Sequence, residues 1–377
     1  MGSFSRFNMS LAVEESDALT PAQRSAISNI RQRAQDLRAD AVMTISHILN
    51  MSNVEPSTAD AVRAAIRDHA HVVIHFHPDR PVGSRVVARA LLEDGVYRNQ
   101  FETGISNGLV STALDGPRDS WEKSLFSGAY HDGTGLRAAE RPKYGALDLT
   151  CHPDGPAPRF GSCYLVLKPE VSRRSTFTFG GSQADPKFRG TIDEFDAILS
   201  AILEESFTRD FMLGVSDIRP GPAMCLLRKS LTTPRQFRTD DASHNLDHMV
   251  EAQVHGDICL DRDVEALIAD GSFADGDTGR ILKAIGERFE FPVRFNRGFQ
   301  LPVESIPPDF RGPCMPSLAA RVTTTRVDAR AIGTAAQGLF DNRDQWRDRG
   351  TYEEILQELK LLWHVLVKYG EPLSTLP

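Results

Sequence analysis

The chain has 377 residues, 41% of them hydrophobic and 25% charged, which is the composition of a folded, water-soluble protein. Its formal net charge of −8 argues against general nucleic-acid binding, because binding to a duplex normally requires a basic face. No apolar run approaches the roughly 20 residues needed to cross a bilayer, so a membrane is not expected among its partners.

Targeting and redox signals are sparse. The N-terminal sequence MGSFSRFNMSLAVEES has no secretory-type apolar run followed by a small-residue cleavage site. The five cysteines form no CxxC pair and are odd in number, which argues against a disulfide framework and against cysteine-only zinc binding. We therefore expect a reducing, cytoplasmic location, with signal-independent export left open.

Two helices are predicted near the start of the chain. Residues 1–20 are expected to form a flexible leader, after which Thr20 suits an N-cap and Pro21 the first helical position. Apolar residues then recur at helical spacing. A second helix is predicted to start near Ser57 and to complete an N-terminal helical region over residues 21–70.

The hydrophobic period then changes to that of strands. HVVIHFH at residues 71–77 is short, β-branched and closed by Pro78, which predicts a buried strand. The remaining predicted elements are a helix at 82–95, strands at 161–169 and 175–179, a helix at 191–207, a strand within 247–260, a short helix at 261–271, a helix and a strand within 281–300, and an amphipathic helix at 351–370. Helices therefore flank a region of mixed strands and short helices.

The end of the first strand, HFHPDR, is the first candidate for chemistry. Strand alternation puts His75 and His77 on the same face, with Arg80 just beyond the strand end. Side chains at such a position can bind a ligand. The plainer interpretation is a pair of hydrogen-bonded histidines at a strand terminus, with Arg80 facing an acidic neighbour.

A second candidate is the glycine-bracketed segment QFETGISNG. Gly104 permits close approach of a ligand to the backbone, and Ser106 and Asn107 supply a hydroxyl and an amide. Such a loop can hold a phosphate or an amide. An ordinary surface turn has the same composition, so this segment alone does not decide between them.

The third candidate is RPKYGAL, at residues 141–147. Tyr144 can stack on an aromatic ligand while Arg141 or Lys143 faces an anion. A tyrosine in a strand is more often part of the core.

The fourth candidate is VEAQVHG, at residues 250–256. On a strand, Glu251, Gln253 and His255 point to one face and the small apolar residues between them to the other. Polar and ionisable residues on one face suit a strand with one side in a cleft. An amphipathic strand with a solvent face is the alternative.

The order of these four segments resembles that in the ADP-ribosyltransferase superfamily, in the branch with a His–Tyr–Glu triad. There, a histidine ends the first strand, a helix and a turn follow, then a tyrosine segment, and finally a strand that starts with the catalytic glutamate. The resemblance implies an α+β fold: split, mostly antiparallel β-sheets around a cleft, with flanking helices. It also implies a catalytic domain over residues 71–320, followed by a C-terminal helical extension over 321–377.

The resemblance assigns roles to individual residues. NAD is the implied substrate, and no metal is expected. Glu251 would stabilise the charge that develops as nicotinamide leaves, Tyr144 would stack on the nicotinamide ring, and His77, with Arg80, would fix the adenosine side and the diphosphate. His75, Gly104, Ser106, Asn107 and Gln253 complete the expected cofactor-binding set, and the choice between His75 and His77 as the cofactor histidine stays open.

The chain also resembles the family catalogued as domain of unknown function 3626. The phrases HFHPDR, QFETGISNG, RPKYGAL, EAQVHG and DFRGP carry this likeness, which spans roughly residues 60–370. Two departures from the transferase pattern matter: Pro78 follows His77 where the superfamily has glycine, and Glu251-Ala252-Gln253 has one carboxylate instead of two. The missing second carboxylate argues against arginine as the acceptor.

The expected activity is therefore NAD-dependent transfer of ADP-ribose to an unidentified acceptor, with a protein as the first candidate. A different class stays open: His75, His77 and Asp79 also suit a metal-dependent hydrolase. His244 and His248, four residues apart, would add ligands if they lay on a helix. A third reading is a non-catalytic ligand-binding module.

Overall fold

The computed structural model describes residues 19–104, 113–131, 137–234 and 242–374. These residues form an α+β structure in which helices surround a mixed sheet. In the described part of the chain, no helix combines the length and the apolar character needed to span a membrane.

The helices are α1 (Pro21–Met51), α2 (Ser57–His69), α3 (Val87–Asp94), α4 (Gln100–Thr103), α5 (Pro117–Leu125), α6 (Pro169–Arg173), α7 (Asp196–Arg209), α8 (Pro220–Thr232), α9 (Leu260–Asp263), α10 (Asp277–Phe289), α11 (Met315–Val322), α12 (Ala329–Asp341) and α13 (Tyr352–Tyr369).

The strands are β1 (His71–Phe76), β2 (Pro81–Val82), β3 (Arg85–Val86), β4 (Val96–Tyr97), β5 (Lys143–Asp148), β6 (Cys163–Leu167), β7 (Ser175–Phe179), β8 (Arg189–Thr191), β9 (Phe211–Met212), β10 (Val215–Ser216), β11 (Val250–Val254), β12 (Ile258–Cys259), β13 (Val264–Asp270), β14 (Val293–Asn296), β15 (Gln300–Pro302) and β16 (Arg326–Asp328).

Eight of the described strands form one central sheet in the order β14-β13-β6-β1-β5-β11-β7-β8. Neighbouring strands are antiparallel except β13 and β14, which are parallel. The sequence predicts two small sheets, whereas the structure joins these strands into a single sheet. The mostly antiparallel character is confirmed.

The sheet nevertheless opens at its centre. β1 and β5 pair over only three positions, from His71 opposite Asp148 to Val73 opposite Ala146. Beyond that point β1 continues against β6 and β5 continues against β11. The two central strands therefore separate, and a gap forms between them.

Gly145 sits at the point of separation. A methyl group on its Cα would lie 2.5 Å from the Val73 carbonyl oxygen and 3.1 Å from Ile74 Cγ1. Only glycine lets the two backbones approach this closely before they diverge.

Strand alternation divides the side chains of β1 between two environments. Val72, Ile74 and Phe76 pack in the main hydrophobic core, while Val73 joins a smaller cluster on the opposite side. His75 is on the same side as Val73. Because Phe76 between the two histidines packs in the main core, His75 and His77 lie toward the opposite side, as predicted.

The predicted N-terminal helices are confirmed. Thr20 caps α1 and exchanges hydrogen bonds with Gln23, and Pro21 occupies the first helical position. The leader predicted for residues 1–20 falls almost entirely outside the described residues. Helix α2 spans Ser57–His69, as the sequence predicts.

Two helix predictions need correction. Residues 264–270 form strand β13, and only the four residues before them are helical. Buried apolar residues at Leu267, Ile268 and Ala269 suit a strand covered on both faces, which a short apolar run does not distinguish from a helix. The helix predicted at 82–95 begins only at Val87, because the residues before it form the hairpin of β2 and β3.

The amphipathic C-terminal helix is confirmed as α13. Its apolar side, including Leu359, Leu362 and Leu366, is buried in the same core cluster as Val72 of the sheet. This side is therefore packed inside the protein and is not exposed for docking. The boundaries predicted for the helical regions and the catalytic domain stay predictions.

The close approach at Gly145 generates a stability prediction. Gly145→Ala should destabilise the fold by about 1–3 kcal/mol, because the methyl group overlaps the backbone of β1. Gly338→Ala is the matched control. Gly338 lies in helix α12 with no atom within 4 Å of the added methyl group, so this change should stabilise by up to about 1 kcal/mol. Denaturant unfolding of both variants measures the difference, and equal effects would contradict the close packing.

Two aspartates are buried beside glycines. Asp79 follows β1 and packs against α12, where a methyl group on Gly333 would lie 1.4 Å from Asp79 Oδ2. Asp270 ends β13 and packs against Gly298, where an added methyl group would lie 2.4 Å from the Asp270 carboxyl oxygens. Burial raises the pKa of each carboxyl to about 7, with a further contribution at Asp79 from the charge of Asp270.

These raised pKa values predict a pH dependence of stability. The folded state holds protons that the unfolded state, with aspartate pKa values of about 3.9, has already released. The resulting stability is complete below about pH 4 and is lost as the pH rises through about 7, by at most about 1.4 kcal/mol per pH unit per group.

We therefore expect the difference in melting temperature between Asp79→Asn and wild type to shift in favour of Asp79→Asn as the pH rises from 5 to 7.5, because the variant lacks the carboxyl that must ionise in the buried site. The exposed Asp275→Asn is the control and should follow the wild type. Thermal unfolding at both pH values checks this, and parallel curves for wild type and Asp79→Asn would refute it.

Candidate functional site

A cavity of about 730 Å³ lies where β1 and β5 separate. Val73, His75 and His77 line it from the first strand and its end, Tyr144 and Gly145 from β5. A cavity of this size suits a small-molecule ligand. It is formed by the same gap that opens the centre of the sheet.

Five of the site residues predicted from the sequence meet in this cavity. They are His75, His77, Arg80, Tyr144 and Glu251. Three of the four segments singled out in the sequence supply these five residues, from the end of β1, the start of β5 and the start of β11.

The two histidines differ in how they are held. His75 donates from Nδ1 to the Gly161 carbonyl at 3.0 Å and accepts at Nε2 from the Ala157 amide at 3.3 Å. Both ring nitrogens are thus used by the backbone, and burial lowers the pKa of His75 to about 4. His75 is a neutral wall residue.

His77 has no such pair of backbone bonds in the described structure. Its ring packs edge-on against Trp363, with centroids 5.3 Å apart, and its Nδ1 lies 3.5 Å from the Ser162 hydroxyl. Burial, and then the neighbouring charge of Arg80, lower the pKa of His77 to about 3, so its imidazole is neutral at physiological pH. Between the two histidines, His77 is better suited to bind a ligand.

Tyr144 is held by a carboxyl that the sequence did not single out. Its hydroxyl donates to Glu122 Oε1 at 3.0 Å, which leaves the ring on the cavity wall. Glu122 is buried on α5 beside Arg141, and burial raises the pKa of Glu122 to about 8. Arg141 also pairs with Asp119, so it supports Tyr144 from behind and does not face the ligand.

Glu251 is the carboxylate at the cavity floor. Its Oε1 accepts hydrogen bonds from the Ser182 amide and from Gln253 Nε2, both at 3.1 Å. Burial raises its pKa, while these two bonds and the charge of Arg118 act in the opposite direction. The carboxylate is therefore positioned by its own strand and by the turn that follows β7.

Gln253 lies behind Glu251 and does not line the cavity. It is fully buried, and Thr176 Oγ1 donates to its Oε1 at 2.9 Å. Thr176 Oγ1 also lies 3.1 Å from His255 Nε2, and the Tyr130 hydroxyl oxygen lies 2.6 Å from His255 Nδ1. Glu251, Gln253 and His255 belong to one buried hydrogen-bonded chain, and of the three only Glu251 lines the cavity.

The segment QFETGISNG is described only up to Gly104. Asn99 caps the short helix α4, exchanging hydrogen bonds with Glu102, and Gly104 ends it with φ of 67°. Gln100, Glu102 and Thr103 line the cavity, and Gly104 follows them. Ser106 and Asn107 lie outside the described residues, so their predicted role is untested.

Sequence reasoning missed most of the cationic residues of the cavity. Arg118 from α5, Arg159 from a short 3-10 turn and Lys360 from α13 line it together with Arg80. Each of the three stands in a segment with no recognisable motif. Lys360 lies on the amphipathic helix predicted at 351–370. Hydrophobic periodicity predicts the buried side of that helix, but it does not indicate that Lys360 beside this side lines a cavity.

The metal-site hypothesis finds no support in the described residues. No group of three or more histidine, cysteine, aspartate or glutamate side chains there is arranged to hold a metal ion. His244 and His248 lie in an irregular segment, so the condition that both lie on one helix is not met. His244 bonds to the Val367 carbonyl at 3.1 Å, and His248 packs against Phe211.

Comparison with protein-family models shows the family of the chain. No curated protein matches the chain. A family model described as protein of unknown function (DUF3626) matches residues 71–369, which include the central sheet, the cavity and α13. The chain therefore belongs to the DUF3626 family.

Proposed function

We propose that the protein is an NAD-dependent ADP-ribosyltransferase, which cleaves the nicotinamide–ribose bond of NAD and transfers ADP-ribose to an acceptor. The observation that carries this proposal is the convergence of His77, Tyr144 and Glu251 on one cavity. They come from three separate strand positions in the order that the transferase resemblance implies. The finer likeness of the fold to that superfamily is part of the same proposal.

Glu251 would stabilise the transition state. As the bond between ribose C1′ and the nicotinamide nitrogen breaks, its electron pair leaves with nicotinamide and positive charge develops on the ribose. A carboxylate fixed in position stabilises that charge more effectively than water does, because it needs no reorganisation as the charge develops. The bonds from Ser182 and Gln253 hold the Glu251 side chain in place without reorganisation during the reaction.

Tyr144 and His77 would bind the two ends of NAD. The Tyr144 ring offers a face for the nicotinamide, with its hydroxyl turned away to Glu122. His77 is neutral, so it would donate to or accept from a ribose hydroxyl on the adenosine side. Arg80 and Arg118 are the cavity cations best placed in this scheme to face the diphosphate.

The acceptor would then attack ribose C1′ and release a proton. A protein is the first acceptor to test. Gln253 stands where the arginine-specific pattern has a second carboxylate, and its amide donates to Glu251. An amide is no proton acceptor for a guanidinium, so we expect an acceptor other than arginine.

Replacing the floor carboxylate tests the reaction. Glu251→Gln should lower nicotinamide release from NAD by at least about a hundredfold, because the amide no longer opposes the developing positive charge. NAD binding should remain within a few-fold of wild type. Nicotinamide release is measured by chromatography and NAD binding by calorimetry on the same samples.

Glu170→Gln is the matched control, since Glu170 is an exposed glutamate on α6 away from the cavity lining. It should release nicotinamide at the wild-type rate. Undiminished release by Glu251→Gln would overturn the proposed function.

The stacking role of Tyr144 is tested separately from its hydroxyl. Tyr144→Ala should raise the KM for NAD about tenfold or more, because base–aromatic stacking contributes roughly 1–3 kcal/mol. Tyr144→Phe keeps the ring and loses only the bond to Glu122, so its KM should stay within about threefold. Steady-state kinetics distinguishes the two, and equal losses would contradict a stacking role.

A further inference from the structure

One side of the cavity carries more positive charge than the proposed function uses. Lys360 on α13 and Arg159 on the 3-10 turn Pro158–Phe160 both line the cavity. The indole of Trp363 donates to the Pro158 carbonyl at 2.9 Å and so ties that turn to α13. His364 lies one helical turn beyond Lys360 on the same face. Arg311, from the DFRGP motif, lies close to these residues. We call Arg159, Arg311, Lys360 and His364 the α13 cluster.

Buried nitrogen atoms in this cluster lack partners. His364 is 1% exposed, and neither of its ring nitrogens has a hydrogen-bond partner in the described part of the chain. The Nε atoms of Arg159 and Arg311 are also buried without a partner there. Buried polar atoms in folded proteins are nearly always paired with protein or with another molecule. Such a concentration of unpaired polar nitrogens points to a ligand.

The charge balance of the cluster points in the same direction. The groups that act electrostatically on Lys360 are Arg159, Arg118, Arg80 and Arg311, all of them cations. Asp247 pairs with Arg159 at the outside, where its side chain is 58% exposed, and Glu251 also acts on Arg159. Burial and these cations lower the pKa of Lys360 to about 8 and that of His364 to about 2. An anion bound beside Lys360 would offset the repulsion between Lys360 and these arginines.

We propose that the α13 cluster binds a phosphate group of the substrate. A phosphate dianion accepts several charge-assisted hydrogen bonds at once, and guanidinium groups match its oxygen geometry in pairs. Arginine and lysine from three separate segments converge as such a site requires. The proposal goes beyond the transferase assignment, because phosphate binding here needs no turnover of NAD.

Two molecules in the proposed reaction could supply this phosphate group. The phosphate belongs either to the nucleotide donor or to a phosphorylated acceptor that binds beside it. Inorganic phosphate is the probe for both, since it presents the group without the rest of either molecule.

The test is calorimetric titration of the full-length protein with inorganic phosphate at constant ionic strength, which holds screening fixed. Wild type should bind one phosphate. Lys360→Gln and Arg311→Gln should each weaken binding by about tenfold, the loss expected for a charge-assisted hydrogen bond. Lys360→Arg should restore most of the affinity.

Lys368→Gln is the matched control. Lys368 is an exposed lysine on the same helix, outside the cluster, and its removal changes the net charge equally. It should bind phosphate as wild type does. Thermal unfolding of each variant shows that it is folded, and phosphate should raise the melting temperature of wild type more than that of Lys360→Gln.

Repeating the titration with saturating NAD identifies the source. Competition assigns the cluster to the donor, and simultaneous binding assigns it to the acceptor; both outcomes support the site. The absence of saturable phosphate binding by wild type overturns the proposal, as does equal affinity of wild type, Lys360→Gln and Arg311→Gln. None of these results depends on nicotinamide release, so the two proposals fail independently.

Discussion

Backbone pairing between β1 and β5 stops at Val73 and Ala146. The cavity lies beyond this last pair, where the two strands are no longer bonded to each other. Each strand keeps its other neighbour, β6 or β11, so the ladder is interrupted without leaving either strand unsupported. Gly145 has no side chain, so β5 stays in close contact with β1 up to the residue at which the two strands separate. His75 and His77 come from the β1 side of the gap, Tyr144 and Glu251 come from the paired strands β5 and β11 on its other side, and all four line the cavity.

Polar groups around this gap are mostly satisfied by the protein itself. His75 is used by two backbone groups, Tyr144 by Glu122, and Glu251 by Ser182 and Gln253. These bonds fix the floor and one wall of the cavity. The α13 side differs, because buried nitrogens there have no described partner. On the side formed by β1, β5 and β11, the polar groups are therefore hydrogen-bonded within the protein. On the α13 side, buried nitrogens remain available to bind a ligand.

Much of the fold could be predicted from local patterns. The strand HVVIHF and the helix cap at Thr20 each depend on a few neighbouring residues, and both were found. Strand β13 was missed because a buried apolar run has no period that separates strand from helix. The joining of all eight strands into one sheet depends on pairing between distant segments, which no local pattern encodes.

The site was predictable where residues cluster in the sequence. His75, His77 and Arg80 stand together at a strand end, and Glu251 begins an alternating strand, so both segments carried a signal. Glu122, Arg159 and Lys360 carried none, because each is a single charged residue brought to the cavity by tertiary packing. A partner such as Glu122, buried on α5 and bonded to Tyr144 on β5, becomes recognisable only when the two elements are seen in contact.

The bond between Trp363 and the Pro158 carbonyl has a consequence for synthesis on the ribosome. Helix α13 spans Tyr352–Tyr369, so it is translated after every strand of the sheet. Until it emerges, the turn that carries Arg159 lacks its anchor and the cavity lacks Lys360. At about 5–20 residues per second, the sheet has several seconds to form before its last wall is added. A nascent chain therefore has no complete cavity until α13 has emerged and packed.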